Sequence, residues 1–91
     1  MIPLPPEVVQ YKDDIRRFIH AMVYKLSVHH KKGKWEGMSV DTVISLLGGE
    51  VDELKEAADR GNVIEVVLEA ADVANYAMIA ASIITEGDDN E

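Results

Sequence analysis

The sequence predicts an all-α protein, a three-helix chain that assembles into helical bundles by oligomerisation. Apolar residues recur at helical spacing in three segments, and no segment alternates as a β-strand does. A length of 91 residues allows a single domain. The third segment is apolar around most of its circumference, more than so short a chain covers by itself. We therefore expect a homodimer or homotetramer built on the third helix.

The first two helices are bounded by ordinary start and stop signals. The first helix should span residues 6–29, after a proline-rich entry, and Gly33 and Gly37 place a loop behind it. Ser39 is a suitable N-cap for the second helix, which should end at Gly61. Two further glycines inside the second helix, Gly48 and Gly49, favour close approach of another helix, the alternative being room for a ligand.

The third helix should begin after Asn62, with Glu65 as its capping-box partner, and run to about Thr85. Residues 1–85 then form one helical domain, and residues 86–91 read as a flexible acidic tail. Membrane insertion of this helix is not expected, because four polar residues interrupt its apolar run: Glu65, Glu69, Asp72 and Asn75.

Composition excludes several classes of function. The chain has no cysteine, so thiol nucleophiles, disulfides and iron–sulfur clusters are ruled out. A net charge of −8 disfavours binding to nucleic acids or to anionic membrane surfaces. The N-terminus has neither a basic region nor a long apolar stretch, which favours a cytoplasmic protein.

Two pairs of acids point to a metal site. Glu50 and Glu53 are three residues apart on the second helix, and Glu69 and Asp72 repeat that spacing on the third. Each pair shares one helix face, and an antiparallel hairpin brings the two faces together. Gathered carboxylates repel one another and need protons or cations, and hard oxygen ligands suit Mg²⁺, with Mn²⁺ as the alternative. The competing interpretation is that these acids are solvated on the helix surface.

The order Glu50-x-x-Glu53, fifteen residues, Glu69-x-x-Asp72 resembles the MazG-like all-α nucleoside triphosphate pyrophosphohydrolases. The continuation Asp72-Val-Ala-Asn75-Tyr76 and a basic stretch with Trp35 add to the resemblance, which covers residues 20–80. It implies Mg²⁺-dependent hydrolysis of a (deoxy)nucleoside triphosphate to the monophosphate and pyrophosphate, by a dimer or tetramer that cleans the nucleotide pool. The sequence departs from that family at Gly49, where an additional acid frequently stands.

Roles follow for the residues that match. Glu50, Glu53, Glu69 and Asp72 are the expected metal ligands, and Glu53 is the candidate for orienting or deprotonating the attacking water. The candidate substrate-binding residues are Lys31 and Lys34 toward the phosphates, Trp35 as a stacking surface for the base, and Asn75 and Tyr76 beside the metal ligands. The alternatives for these residues are a solvated basic loop, a tryptophan that caps the core and a core tyrosine.

The sequence is also compatible with two other functions. One is a phosphoribosyl-ATP pyrophosphohydrolase, a small helical relative with a similar set of acids. The other is a non-catalytic helical module that dimerises through the third helix, in which the acids are merely solvated. Uptake of Mg²⁺ separates the enzymes from the module.

Overall fold

The structure is a computed structural model and describes residues 3–29 and 37–89. It contains helix α1 (Lys12–Val28), helix α2 (Val40–Arg60) and helix α3 (Val63–Asp89), with a short 3₁₀ helix, Pro6–Tyr11, ahead of α1. No strand occurs within the described residues, and the all-α class is confirmed.

The first predicted helix is present as two consecutive pieces. The 3₁₀ piece begins where the N–H of Val8 donates to the carbonyl of Pro5 at 2.9 Å. Pro6 lacks an N–H and is tolerated at this first turn. The α-helical piece opens with acids that suit a helix N-terminus, and each pairs with an arginine three residues on, as Asp13–Arg16 and Asp14–Arg17.

The predicted caps are present at the start of α2 and in the tight turn that joins α2 to α3. The Ser39 hydroxyl accepts the N–H of Thr42 at 3.1 Å, and Gly61 adopts the left-handed conformation with φ 70°. The Asn62 side chain accepts the N–H of Glu65 at 3.0 Å, as expected of an N-cap. The short turn at Gly61 and Asn62 reverses the chain, so that α2 and α3 lie side by side.

The predicted capping box is wrong in its second half. The carboxylate of Glu65 accepts from the Arg60 guanidinium at 2.5 Å instead of returning to the backbone of Asn62. The N–H of Asn62 donates to the carbonyl of Ala57 at 3.2 Å, closing the end of α2. The donor that the box requires is therefore already taken, and Glu65 is free to pair with a nearby cation.

Helix α3 continues to Asp89, past its predicted end near Thr85. The Ser82 hydroxyl donates to the Glu86 carboxylate at 3.2 Å, one turn further along. No proline follows Thr85, so the helix meets no residue that must stop it. Residues 86–89 are thus helical, and residues 90–91 of the predicted tail lie outside the described residues.

Helix α3 is the centre of the molecule. Within the described residues, α1 and α2 each pack on α3 and not on each other. The radius of gyration is 14.9 Å, against about 12 Å for a compact chain of this length. Among residues 3–29 and 37–89, the fully buried apolar side chains are small: Val43, Ala57 and Ala71. The single chain is therefore open and has a modest core.

Large apolar side chains lie on the outside of all three helices. Val63 and Ile64 at the start of α3 are 75% and 73% exposed, and Val23, Tyr24 and Ile44 are each more than half exposed. By length and hydropathy, residues 63–86 also meet the criteria for a candidate membrane span, criteria that the central helix of a water-soluble protein meets as well.

Candidate metal centre

Three acids from the α2–α3 pair converge on one point. Glu50 on α2 and Glu69 and Asp72 on α3 each present a carboxylate oxygen, and these oxygens lie within 4.8 Å of one another. The three-residue spacing puts Glu69 and Asp72 on the same face of α3, and the turn at Gly61 brings that face against α2. We call these three residues and the adjoining Glu53 the acidic cluster.

Glu53 lies at the edge of the acidic cluster. It is exposed, and its carboxyl group is near enough to those of Glu50 and Glu69 to contribute to their pKa shifts. It is not one of the three residues whose oxygens meet within 4.8 Å. The sequence-predicted ligands thus form a closely spaced trio with a fourth, more accessible member.

Two members of the cluster, Glu50 and Glu69, have raised pKa values. Burial raises the pKa of Glu50 to about 7, and a hydrogen bond with Glu53 and the negative charges of Asp72 and Glu53 add to the shift. Burial also raises the pKa of Glu69, helped by the hydrogen bond and charge of Glu53. Two carboxyl groups share a hydrogen bond only while one of them is protonated, so ionising the cluster sets like charges against each other.

Two buried oxygens in the cluster lack a donor. Oε2 of Glu50 and Oε2 of Glu69 are inaccessible to solvent and have no hydrogen-bond partner in the described part of the chain. A buried carboxylate oxygen without a partner is costly, and a bound cation would supply the missing interaction. With oxygen donors at this spacing, the residues fit a hard divalent ion such as Mg²⁺ or Mn²⁺.

One residue of the centre was missed from the sequence. The Lys25 ammonium on α1 lies 3.2 Å from Oδ2 of Asp72, and the two side chains are only 16% and 12% exposed. The available signal was position: Lys25 follows Met22 by three residues on the apolar face of α1. A lysine on an apolar helix face needs an acidic partner there, and Asp72 is that partner.

Asn75 and Tyr76, two predicted substrate residues, lie beside the cluster. The Asn75 amide donates to the carbonyl of Met22 at 3.0 Å and so ties α3 to α1. Its Oδ1 is buried with no hydrogen-bond partner among the described residues. Burial and the nearby charges of Glu50 and Asp72 raise the pKa of Tyr76. The other predicted substrate residues, Lys31, Lys34 and Trp35, lie outside the described residues.

The glycine pair next to Glu50 is not a close-packing site within this chain. A methyl group added at Gly48 or Gly49 meets no atom of the described chain within 4 Å. The expected helix–helix approach is therefore wrong for the described part of the single chain, in which both glycines are exposed. The helix backbone is therefore exposed at the two residues that precede Glu50.

Comparison of the chain with protein families, with curated proteins and with solved structures finds no match. What the protein does is therefore inferred from the acidic cluster and from the residues around it.

Proposed function

We propose that the protein is a Mg²⁺-dependent nucleoside triphosphate pyrophosphohydrolase, which cleaves between the α and β phosphates and releases a monophosphate and pyrophosphate. The observation that carries the proposal is the acidic cluster, in which Glu50 on α2 and Glu69 on α3 each have a buried oxygen without a hydrogen-bond partner among the described residues. The resemblance of the acid spacing to the MazG-like enzymes supports the same reaction.

In this proposal Glu50, Glu69 and Asp72 hold the metal, and Glu53 completes the site from its edge. When bound, the metal neutralises phosphate charge and lowers the pKa of water. In this proposal the α2–α3 hairpin holds three carboxylates at fixed positions. Because these residues belong to ordered helices, binding costs little conformational entropy.

Glu53 is proposed to orient or deprotonate the attacking water. It is the exposed member of the cluster, so water reaches it without crossing packed side chains. Its neighbours Glu50 and Glu69 are engaged with each other and with the metal in this scheme. An accessible carboxylate beside a metal site is suited to accept a proton from water.

The proposed substrate residues are Lys31 and Lys34 for the phosphates, Trp35 for the base, and Asn75 and Tyr76 beside the metal ligands. Four carboxylates repel a polyphosphate, so binding requires cations as well as metal. The basic residues between α1 and α2 supply that charge in the sequence, and Oδ1 of Asn75 offers an acceptor next to Asp72.

A homodimer or homotetramer in the cytoplasm completes the proposal. Support comes from the exposed apolar side chains along α3, among them Val63, Ile64, Val67, Met78 and Ile84. Such side chains are typical of a surface that another chain covers. Nucleotide-pool cleaning is the role that this activity would serve.

The test is a product assay with a matched variant. The purified protein is incubated with Mg²⁺ and a panel of nucleotides that includes phosphoribosyl-ATP, and pyrophosphate and inorganic phosphate are measured separately. Pyrophosphate with the nucleoside monophosphate supports the proposal, and inorganic phosphate with the diphosphate overturns it. Glu50→Gln should lose the activity, whereas Asp52→Asn, which removes an exposed acid from the same helix, should keep it.

The non-catalytic dimerisation module is the second candidate, favoured by the same exposed apolar side chains. A calorimetric titration with Mg²⁺ distinguishes the two. A module has no use for the metal, and the absence of binding at millimolar Mg²⁺ would support it over the enzyme.

A further inference from the structure

Lys25 differs from the other cations that pair with acids on α1. Arg16 and Arg17 pair with acids on their own helix, and those side chains are more than half exposed. Lys25 instead reaches from α1 to Asp72 on α3 and is largely buried there. Exposed pairs on one helix contribute little, whereas a cation carried into a cleft costs desolvation and calls for a specific reason.

Holding α1 against α3 is not a sufficient reason. The amide of Asn75 already ties α3 to the carbonyl of Met22, one turn from the Lys25–Asp72 pair on both helices. A neutral hydrogen bond performs this function without burying a charge. The structure therefore contains a second, more costly link where α1 meets the acidic cluster.

The location of the ammonium suits a phosphate ligand. Asp72 belongs both to the Lys25 pair and to the trio of oxygens that fit a metal. The Lys25 ammonium has three N–H donors, so its ion pair with Asp72 leaves room for a further acceptor, and the flexible four-carbon stem lets the ammonium follow a ligand oxygen. A polyphosphate that approaches the carboxylates meets this cation at their border.

We infer that Lys25 binds the phosphate groups of a polyphosphate ligand at the acidic cluster, an inference that rests on the proposed function. In this arrangement α2 and α3 supply the metal ligands, and α1 supplies Lys25 as a contact to the substrate. The group that Lys25 recognises is the polyphosphate, which belongs either to a nucleotide or to free pyrophosphate.

The experiment separates metal binding from phosphate binding. Calorimetry is carried out on the full chain with Mg²⁺ alone, with pyrophosphate plus Mg²⁺, and with an α,β-imido nucleoside triphosphate plus Mg²⁺. The variants are Lys25→Met, Lys25→Arg and the control Lys12→Met, which removes an exposed charge from the same helix. Circular dichroism checks the fold, and Lys25→Gln, which keeps a polar partner for Asp72, replaces Lys25→Met if that variant does not fold.

Lys25→Met should bind Mg²⁺ alone as tightly as the unmodified protein or more tightly, because a competing cation has been removed. Its affinity for pyrophosphate and for the imido nucleotide should each fall by about tenfold or more, the loss expected for a hydrogen bond to a charged group. Lys25→Arg should recover most of this loss, and Lys12→Met should show none. In turnover, KM should rise more than kcat falls.

Unchanged affinity of Lys25→Met for both polyphosphates would overturn the inference. So would an equal loss of Mg²⁺ affinity and polyphosphate affinity, since Lys25 would then act only by holding Asp72 in place. A loss confined to the imido nucleotide would assign Lys25 to the nucleoside and overturn the polyphosphate assignment. An unmodified protein that binds pyrophosphate through Lys25 but hydrolyses no nucleotide would refute the proposed function and leave the phosphate contact standing.

Discussion

The middle of α3 and its two ends are built in opposite ways. In the middle, Asp72 and Asn75 are buried beside Ala71, whereas Val63 and Ile64 at one end and Ile84 at the other are more than half exposed. A globular protein usually buries its large apolar side chains and exposes its charges. The reversal in α3 shows that contacts within one chain assemble the polar site and leave the apolar side chains at the ends of the helix uncovered.

The two regions therefore contribute differently to stability. The middle of α3 gathers repelling carboxylates, so assembling it costs free energy, which the proposed metal would recover on binding. The ends carry the apolar area from which a soluble chain normally gains its folding free energy. Substitutions in the middle should alter ligand binding most, and substitutions at the ends should alter assembly most.

The largest expected effect is on metal binding in the middle. Glu69→Gln removes a donor whose oxygen is buried and unpartnered, and should weaken Mg²⁺ binding by at least about 100-fold, or about 2.7 kcal/mol. Calorimetric titration measures the affinity, with Asp52→Asn as the exposed-acid control. Full Mg²⁺ affinity in Glu69→Gln would show that the site lies elsewhere.

Substitutions at the ends of α3 are expected to dissociate the proposed homo-oligomer. Sedimentation equilibrium should give a species heavier than the 10.1 kDa chain. Met78→Lys with Ile84→Lys should raise the dissociation constant by about 100-fold or more, because each apolar side chain lost from an interface costs about 1.5–3 kcal/mol.

Ile44→Lys, an exposed apolar position on α2, is the control for this pair and should leave the assembly intact. A well-folded monomer of the unmodified protein at micromolar concentration would contradict an interface on α3. Dissociation by Ile44→Lys alone would move the interface to α2.

The acids of the middle should differ in their effect on the metal-free fold. Asp72→Asn leaves the largely buried Lys25 without its partner and should lower the free energy of unfolding by about 1–3 kcal/mol. Glu50→Gln removes a repelling charge and should leave that free energy unchanged or raise it. Chemical denaturation without metal measures both, and equal losses would mean that Lys25 and Asp72 are not coupled.

The metal-free protein should lose stability as the pH rises from about 4.5 to about 7. Glu50 has a pKa near 7 in the fold and an ordinary value of 4.5, so the folded state binds more protons across this window. Because solvent screens a partly exposed carboxyl group, the loss is on the order of 1 kcal/mol. Thermal unfolding across this pH range should show the decline, and Glu50→Gln should flatten it; a rise in stability with pH would contradict the assignment.

The smallest expected effect is at the glycine pair. Gly48→Ala should stabilise the metal-free chain by about 0.5–1 kcal/mol, because alanine is the better helix former and a methyl group meets nothing within 4 Å. Thermal unfolding of the chain measures the gain. Loss of the assembly in Gly48→Ala would instead show that a second chain approaches this backbone closely.

Features encoded locally in the chain were predictable from the sequence. Ser39, Gly61 and Asn62 cap their helices as expected, because capping depends on a few neighbouring residues. The meeting of Glu50 with Glu69 and Asp72 was also predictable, since regular helical spacing and one short turn determine the register of the hairpin.

The features that could not be predicted depend on competition between hydrogen-bond partners or on contacts between residues far apart in sequence. Glu65 pairs with Arg60 because the donor needed for a capping box already bonds to Ala57, a detail of the end of the preceding helix. Lys25 was missed because the packing of α1 on α3 brings together residues far apart in sequence. Helix spacing along α1 shows that Lys25 is on an apolar face but not which acid lies opposite.

The turn at Gly61 also bears on the order of folding. All four members of the acidic cluster lie within residues 50–72, on either side of that turn, whereas the bond from Asn75 to Met22 joins residues 53 positions apart. Short loops close at a smaller entropic cost than long ones and favour rapid folding. The α2–α3 hairpin should consequently form first and present its carboxylates to solvent, and α1 should dock later, bringing Lys25 to a donor set that is already in place.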